Sequence, residues 1–575
     1  MVNLGFFSIE LERDAAPQSG TPGRTRAVRR GQHRSGRWTW ALLAVVSAVT
    51  SATGGWLLAG GDPSTLGLPD WVPFVPTSAS AQTEDPARLS IISQPDGALV
   101  TLDGHSRGTT PLTLSVSRGV HTLRLTHSDA VDDVRQVSVG NDTQVRVAMW
   151  LRRPNAVQLR PAFPGASLTD ARFLNDGRLA LSMAVPEATT TSTQAALREP
   201  WMFDPDTGNL DPFVMNATRP RAALVSVSPD GHQLAYVKPG ASAMEMGGVS
   251  GRMMEVWVGT ADGTPAPTRV LALPGNGPNL GSSTRPAETE EVHDVTWTPD
   301  GRHLLVTVRL AAIAGAYSPA PRSRLLLVYA STSDQPLAPP AELLTLPAEV
   351  VAGSYVWAPD GHWAAFVTQA AAGPGGADFV ALCAVDTSAH GAISGFRYVA
   401  DLGRLSDASR PMPVATVAWS ASGDGRLAYT APTPKLAVSN PLGLPTTSGG
   451  EPGLFVATPG RATITAEEGQ RLGSTTGLIA PAWLAESYQD GSGLLALARP
   501  DQGNRPLVVR GIDPVAGVAR DLGVTLPPNV AQSGAVAARW DLAHGRLLLL
   551  ARRDNSNPAS LDYWLVQLRA EERGE

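Results

Sequence analysis

Cysteine is almost missing from this chain of 575 residues: Cys383 stands alone. That excludes an intrachain disulfide and any zinc site built on several thiolates. Lysine is nearly as scarce, since every basic residue except Lys238 and Lys435 is arginine, which reads as coding bias rather than chemistry. Charged residues make up 17% of the chain against 43% hydrophobic ones, a globular but thinly charged composition. Beyond residue 60 there is no long apolar run of helical period. Motifs of enzyme chemistry are missing too: no G-x-S-x-G elbow, no H-E-x-x-H, no P-loop, and no hydrolase-sized domain after the last repeat. Sequence alone therefore assigns no catalytic, cofactor-binding or metal-binding residue and implies no cofactor, and the chain reads as a non-enzyme. A lyase or glycosidase using only channel-facing carboxylates would leave no local motif.

What is present is glycine and proline, 57 and 48 residues spread along the whole length, as many short strands and turns require. The length allows two or three domains with a large core. The net charge of -6 is unevenly placed: residues 1–37 carry about +4 and the remainder about -10. An acidic body of this kind is unsuited to nucleic acid, which needs a concentrated basic surface.

Residues 38–60 carry no charge and are long enough to cross a bilayer. Trp38, Trp40 and Trp56 lie near the ends, Arg24, Arg26, Arg29, Arg30, Arg34 and Arg37 precede, and Asp62 follows. This asymmetry predicts one transmembrane helix with a cytoplasmic arginine-rich tail (1–37) and the bulk of the chain outside. The small-residue run Ala79-Ser80-Ala81 lies too far beyond the apolar segment for a signal peptide. Residues 61–87, rich in Pro, Ser and Thr, read as a semi-rigid tether; Trp71 and Phe74 fit equally well on the membrane surface or against the next domain.

From 88 to 152 the apolar period becomes two, with turn signals at Pro95-Asp96-Gly97 and Asp103-Gly104. That predicts a small β-sandwich. Its residues Pro95-Asp96-Gly97-Ala98, Val100-x-Leu102-Asp103-Gly104, Gly108-x-x-Pro111-Leu112 and Gly119-x-His121 resemble the PEGA domain, with Asp96 where the name-giving motif has Glu. The resemblance implies a non-catalytic, extracytoplasmic module. His121 and His127 read as surface histidines.

From 168 onward an apolar strand, an aromatic, a tight turn and a second apolar strand recur. The anchors are Phe173, Val227, Trp297, Trp357, Trp419, Trp483 and Trp540, spaced 54 to 70 residues apart. A second strand pair follows each. Seven four-stranded units predict a seven-bladed β-propeller over 155–575. The copies at Pro229-Asp230-Gly231, Pro299-Asp300-Gly301 and Pro359-Asp360-Gly361 resemble the TolB-type repeat, a relative of tryptophan-aspartate repeats; the last two units are degenerate. The final unit lacks a fourth strand, so residues 155–161 are expected to supply it and seal the ring.

Long insertions are read at 186–200, 239–254, 274–291, 311–323, 370–378, 431–452 and 461–477, all on the face opposite the Pro-Asp-Gly turns, which marks that face for a partner. Met244, Met246, Met253 and Met254 read as adaptable apolar surface. Asp204, Asp206 and Asp211 read as a turn, and Glu288, Glu290, Glu291, His293 and Asp294 as a hydrated acidic loop. His232, His303, His362 and His544 belong to turns on separate units. The leading expectation is a membrane-anchored binding or scaffold protein recognising an unknown protein or glycan outside the cell. The alternative is a propeller enzyme, hydrolase or lyase, acting on cell-envelope polymer through channel carboxylates. Two facing carboxylates would favour hydrolysis; an apolar, small-residue lining would favour binding.

Overall fold

The structure, a computed structural model, describes residues 86–185, 197–215, 219–239, 254–273, 288–312, 322–330, 339–370, 379–388, 395–403, 417–432, 452–459, 470–472, 478–484, 493–498, 506–532, 535–552 and 561–570. No helix among them is long and apolar enough to cross a membrane. The expected span at 38–60, the tail and the tether lie outside the described residues. So do Met244, Met246 and Met253, and most of each long insertion.

The first module is two sheets face to face. One has the strand order Leu112–Val116, Ala87–Gln94, Asp142–Ala148; the other His105–Thr109, Leu99–Leu102, Gly119–Thr126, Asp133–Val139. Period-two patterning places Leu89, Ile91, Val100, Leu102, Leu123 and Leu125 in one fully buried core. Asp103 and Gly104 turn the hairpin with positive φ, 51° and 79°, a conformation that glycine enters freely and aspartate tolerates.

Seven further sheets follow in chain order, nearly all antiparallel meanders of four strands. Their first strands are Ser167–Phe173, Leu224–Val227, Glu288–Trp297, Val356–Trp357 with Glu349–Val350, Val417–Trp419, Leu478–Trp483 and Ala535–Asp541. A lone sheet of this kind leaves both faces wet. Here each face is covered by the next sheet, through one apolar cluster at each junction. A further cluster joins Leu548, Leu550 and Tyr563 of the last sheet to Ala171, Leu179 and Leu181 of the first. The arrangement is β-propeller-like.

The last sheet takes its fourth strand from upstream. Trp150–Leu159 pairs antiparallel with Leu561–Arg569, with Val157 opposite Leu565. The pairing starts earlier than residue 155, because this strand continues directly from the first module. Trp150 and Leu568 share a core cluster with Leu495 and Leu547, and Arg569 lies over the Trp150 ring at 4.9 Å.

The fourth sheet differs from the expected four strands. Its first strand is split into Glu349–Val350 and Val356–Trp357, both paired with Trp363–Ala370. The break is a turn at Gly353, with φ 73°, whose amide N–H donates to Asp294 Oδ2 at 2.7 Å. The acidic segment 288–294 is correspondingly no hydrated loop. It is the strand Glu288–Trp297, in which Glu290 accepts from Arg324 at 2.9 Å and Asp294 is buried. Partner charges and backbone amides let carboxylates occupy a ladder that composition assigned to solvent. The stretch 461–477 is also placed differently. Gln470–Arg471 is the fourth strand of the fifth sheet, so 461–469 falls between its third and fourth strands, not between second and third or between sheets.

Candidate functional site

The first strands of the seven sheets share one cavity of about 530 Å3, lined from every sheet: Arg172, Val227, Thr296, Trp357, Trp419, Trp483 and Arg539 are representative. Its lining reaches Pro229, Pro299 and Pro359, the first residues of the Pro-Asp-Gly turns. The cavity therefore extends to the turn end of the strands. The first two of these turns are held in the same way, and in the third, where Ala358 replaces the hydroxyl residue, Asp360 accepts from the His362 amide alone at 3.0 Å. Asp230 Oδ1 accepts from Ser228 Oγ at 2.5 Å and from the His232 amide at 3.0 Å, and Asp300 repeats this with Thr298 and Arg302. The Asp side chain replaces backbone partners the tight turn cannot supply.

The repeated tryptophans are wall struts. The indole N–H of Trp297 donates to the Ser226 carbonyl at 2.8 Å, Trp419 to Val356 at 2.9 Å, Trp483 to Ala418 at 3.1 Å and Trp540 to Ala480 at 2.9 Å. In each case the acceptor lies on the first strand of the preceding sheet. A buried indole N–H needs an acceptor, and these carbonyls provide it at the junction. Trp357 is the exception: its Nε1 is buried with no hydrogen-bond partner.

On one side of the cavity sits a group of charges that sequence reading did not single out. Asp170 Oδ2 accepts from Arg172 Nε at 2.7 Å and its Oδ1 from Arg539 Nη1 at 2.8 Å. Arg539 also donates to the Ala171 carbonyl. Arg172 reaches from the first sheet to the third, where its Nη1 donates to Thr296 Oγ1 at 3.2 Å. Burial alone would raise the Asp170 pKa, but the two guanidiniums outweigh it and hold the carboxyl well below its usual range. Asp170 is consequently a fixed anion with both oxygens occupied. It is the one carboxylate lining the cavity among the described residues. Behind this wall Asp294 accepts from the Val295 and Gly353 amides at 2.9 and 2.7 Å. Tyr355 shares a 2.7 Å hydrogen bond with Thr307, and burial pushes its hydroxyl far above the ordinary tyrosine range.

Residues 87–155 match the PEGA domain. The module at 88–152 is thus a PEGA domain, as its turn residues imply, and strand Trp150–Leu159 runs from its end into the ring. No curated protein matches the chain. Among solved structures, the chain is similar to an oligogalacturonate lyase in complex with manganese, at 12% identity and a TM-score of 0.39, covering 72% of this chain and 96% of that one. It is similar to dipeptidyl peptidase 4 of Porphyromonas gingivalis, at 9% identity and 0.36, covering 76% of this chain and 56% of the peptidase. A periplasmic gluconolactonase of Pseudomonas aeruginosa matches at 14% identity and 0.29, covering 69% and 98%. The enzymes among these neighbours differ from one another in chemistry, and a likeness of this degree says nothing about what this chain does.

The other residues singled out in the sequence do not converge. His232, His303 and His362 follow turns in the second, third and fourth sheets, and His544 pairs with Asp541 at 2.8 Å in the last. Asp204 accepts from the Asp206 and Thr207 amides and from the Thr207 hydroxyl, a turn as its spacing implies, while Asp206 pairs with Arg546 across the ring's closing junction. Within the PEGA domain His121 is not a plain surface histidine: its Nδ1 lies 2.6 Å from Asp103 Oδ2. No group of three or more His, Cys, Asp or Glu among the described residues is placed to hold a metal ion. Cys383 is buried, and burial pushes its thiol up to about 12, so it is not a nucleophile in the native state.

Proposed function

We propose that this chain is a membrane-anchored extracytoplasmic recognition protein. The helix at 38–60 would tether a PEGA domain and a seven-bladed, TolB-like propeller at the cell surface, and the axial cavity would receive the ligand. One observation carries this reading: the cavity has walls of valine, alanine, proline and tryptophan, and the one carboxylate lining it among the described residues is paired with two guanidiniums. A general acid and base of the glycosidase type need two carboxyl groups with separated pKa values, both reachable by substrate. A mostly apolar pocket with a few convergent polar groups is instead the usual form of a binding site. The long insertions other than 461–469 would add a second contact surface at the opposite end of the strands, for a protein or glycan partner.

A second reading, a hydrolase or lyase acting on cell-envelope polymer, draws on the polar group formed by Arg172, Asp294 and Tyr355. It agrees with the enzymatic class of several similar structures without resting on them. The two separate in one experiment. The full-length protein is immobilised and presented with membrane extract and with purified envelope polymer. Recognition expects retention of a defined component that is lost when Ser226→Phe fills the cavity, with the polymer chain length unchanged. Shortening of the polymer that stops in Tyr355→Phe would overturn recognition in favour of catalysis.

A further inference from the structure

We propose that the axial cavity is a site for a carboxylate carried on an apolar body, seated against Arg172. The inference rests on the recognition reading and names its ligand chemistry. The carboxylates at the cavity are already paired, while part of the Arg172 guanidinium is not. Asp170 has both oxygens taken by Arg172 and Arg539. Asp294 is buried behind the wall, its oxygens held by backbone amides. Against these stand two groups able to donate. Arg172 spends Nε on Asp170 and Nη1 on Thr296, its Nη2 takes no partner among the described residues, and its side chain is 33% exposed. The Ser226 hydroxyl makes no hydrogen bond among the described residues and lies in the same lining as Arg172.

Unmatched donors lining a cavity favour a ligand that brings acceptors. A guanidinium edge selects a carboxylate, which can accept two parallel N–H groups. Val225, Val227, Val356, Val417 and Ala418 supply walls for an aliphatic body rather than for a hydroxylated one. About 530 Å3 lies in the ordinary range for a small-molecule site. Two sources share this chemistry, a free aliphatic acid and the C-terminal residue of a polypeptide.

The test uses the purified full-length chain and two matched pairs: octanoate against octanamide, and N-acetyl-valyl-leucine against its C-terminal amide. Binding is read by calorimetry and by quenching of the cavity tryptophans. We expect at least one acid to bind about tenfold or more tightly than its amide, the margin of one charge-assisted hydrogen bond. The pair that binds identifies the source. Arg172→Gln should remove the acid preference while leaving the weak amide binding, and Arg172→Lys should keep part of it. Equal affinity for acid and amide, or no binding of any of the four at 10 mM (about the weakest affinity worth measuring), overturns the proposal. The acid-to-amide ratio is read on the unaltered protein, so the outcome does not depend on whether Arg172→Gln folds. Retention of an envelope component with no acid preference would sink this inference and leave the recognition reading standing.

Discussion

Arg539, on the first strand of the last sheet, donates to Asp170 on the first strand of the first sheet across 2.8 Å, although 369 residues separate them in the chain. The pair closes the ring from within, as strand Trp150–Leu159 closes it at the rim.

That relationship gives a pH dependence. Arg172 and Arg539 hold the Asp170 pKa below its unfolded value, so its contribution is present above about pH 4 and lost as pH falls toward the folded value. Asp170→Asn should lower stability at pH 7 by about 3 kcal/mol, because it leaves two guanidiniums unpaired. It should also flatten the stability profile below about pH 4, the ordinary aspartate value, where the unfolded chain takes up the proton and the folded one does not. Urea midpoints across that range check both. A variant as stable as the parent at neutral pH would show that the pair is not a closing contact.

The tryptophans give a matched comparison. Trp419→Phe removes a ring edge and the hydrogen bond to Val356, whereas Trp357→Phe removes an N–H that has no acceptor. The first should cost about 1 kcal/mol more than the second. Thermal denaturation of the two variants side by side measures the difference, and a reversed order would show that the indole bond is not what matters at these junctions.

Within the PEGA domain, the hydrogen bond to Asp103 and that to the Ser117 carbonyl raise the His121 pKa, while Asp103 is lowered chiefly by the same histidine. A raised histidine contributes fully below its unfolded value of about 6.5 and loses that contribution as pH rises through the folded value. Hydrogen exchange at Leu99–Leu102 and Gly119–Thr126 should therefore quicken, beyond its intrinsic pH dependence, from pH 6 to 8 (on the order of one unit either side of histidine titration). His121→Gln should abolish the excess.

The borrowed strand makes a prediction about association state. Leu565→Pro removes a backbone N–H and places a ring in the ladder opposite Val157. It should cost about 3 kcal/mol or more and, by opening an edge, convert a soluble species into aggregate. Light scattering during mild heating reads this directly. A monodisperse Leu565→Pro variant would show that the ring holds without its last pairing.

Much of this fold is local and could be read from residues. Pro299-Asp300-Gly301 announces a turn because Pro fixes φ, Asp bonds the next amides and Gly301 takes φ 67°, all within a few residues. Leu89, Ile91 and Val100 announce a sandwich by alternation. The missing fourth strand of the last unit points to a partner, and residues 155–161 are the nearest free strand upstream. Asp294 shows the opposite case. In sequence it sits in a run of acids, and only the Gly353 amide, 59 residues away, explains its burial.

The candidate site was not legible at all. Asp170, Arg172 and Arg539 occupy ordinary alternating positions of ordinary strands, with no motif around them, and their meeting depends on how the first sheet faces the third and the last. The sequence by itself determined strand, turn and repeat, because those follow from backbone preferences and from which side of a strand is apolar. Only the tertiary structure decided which charges share the cavity and which donors go unmatched there, because that depends on side chains brought together by sheets far apart in the chain.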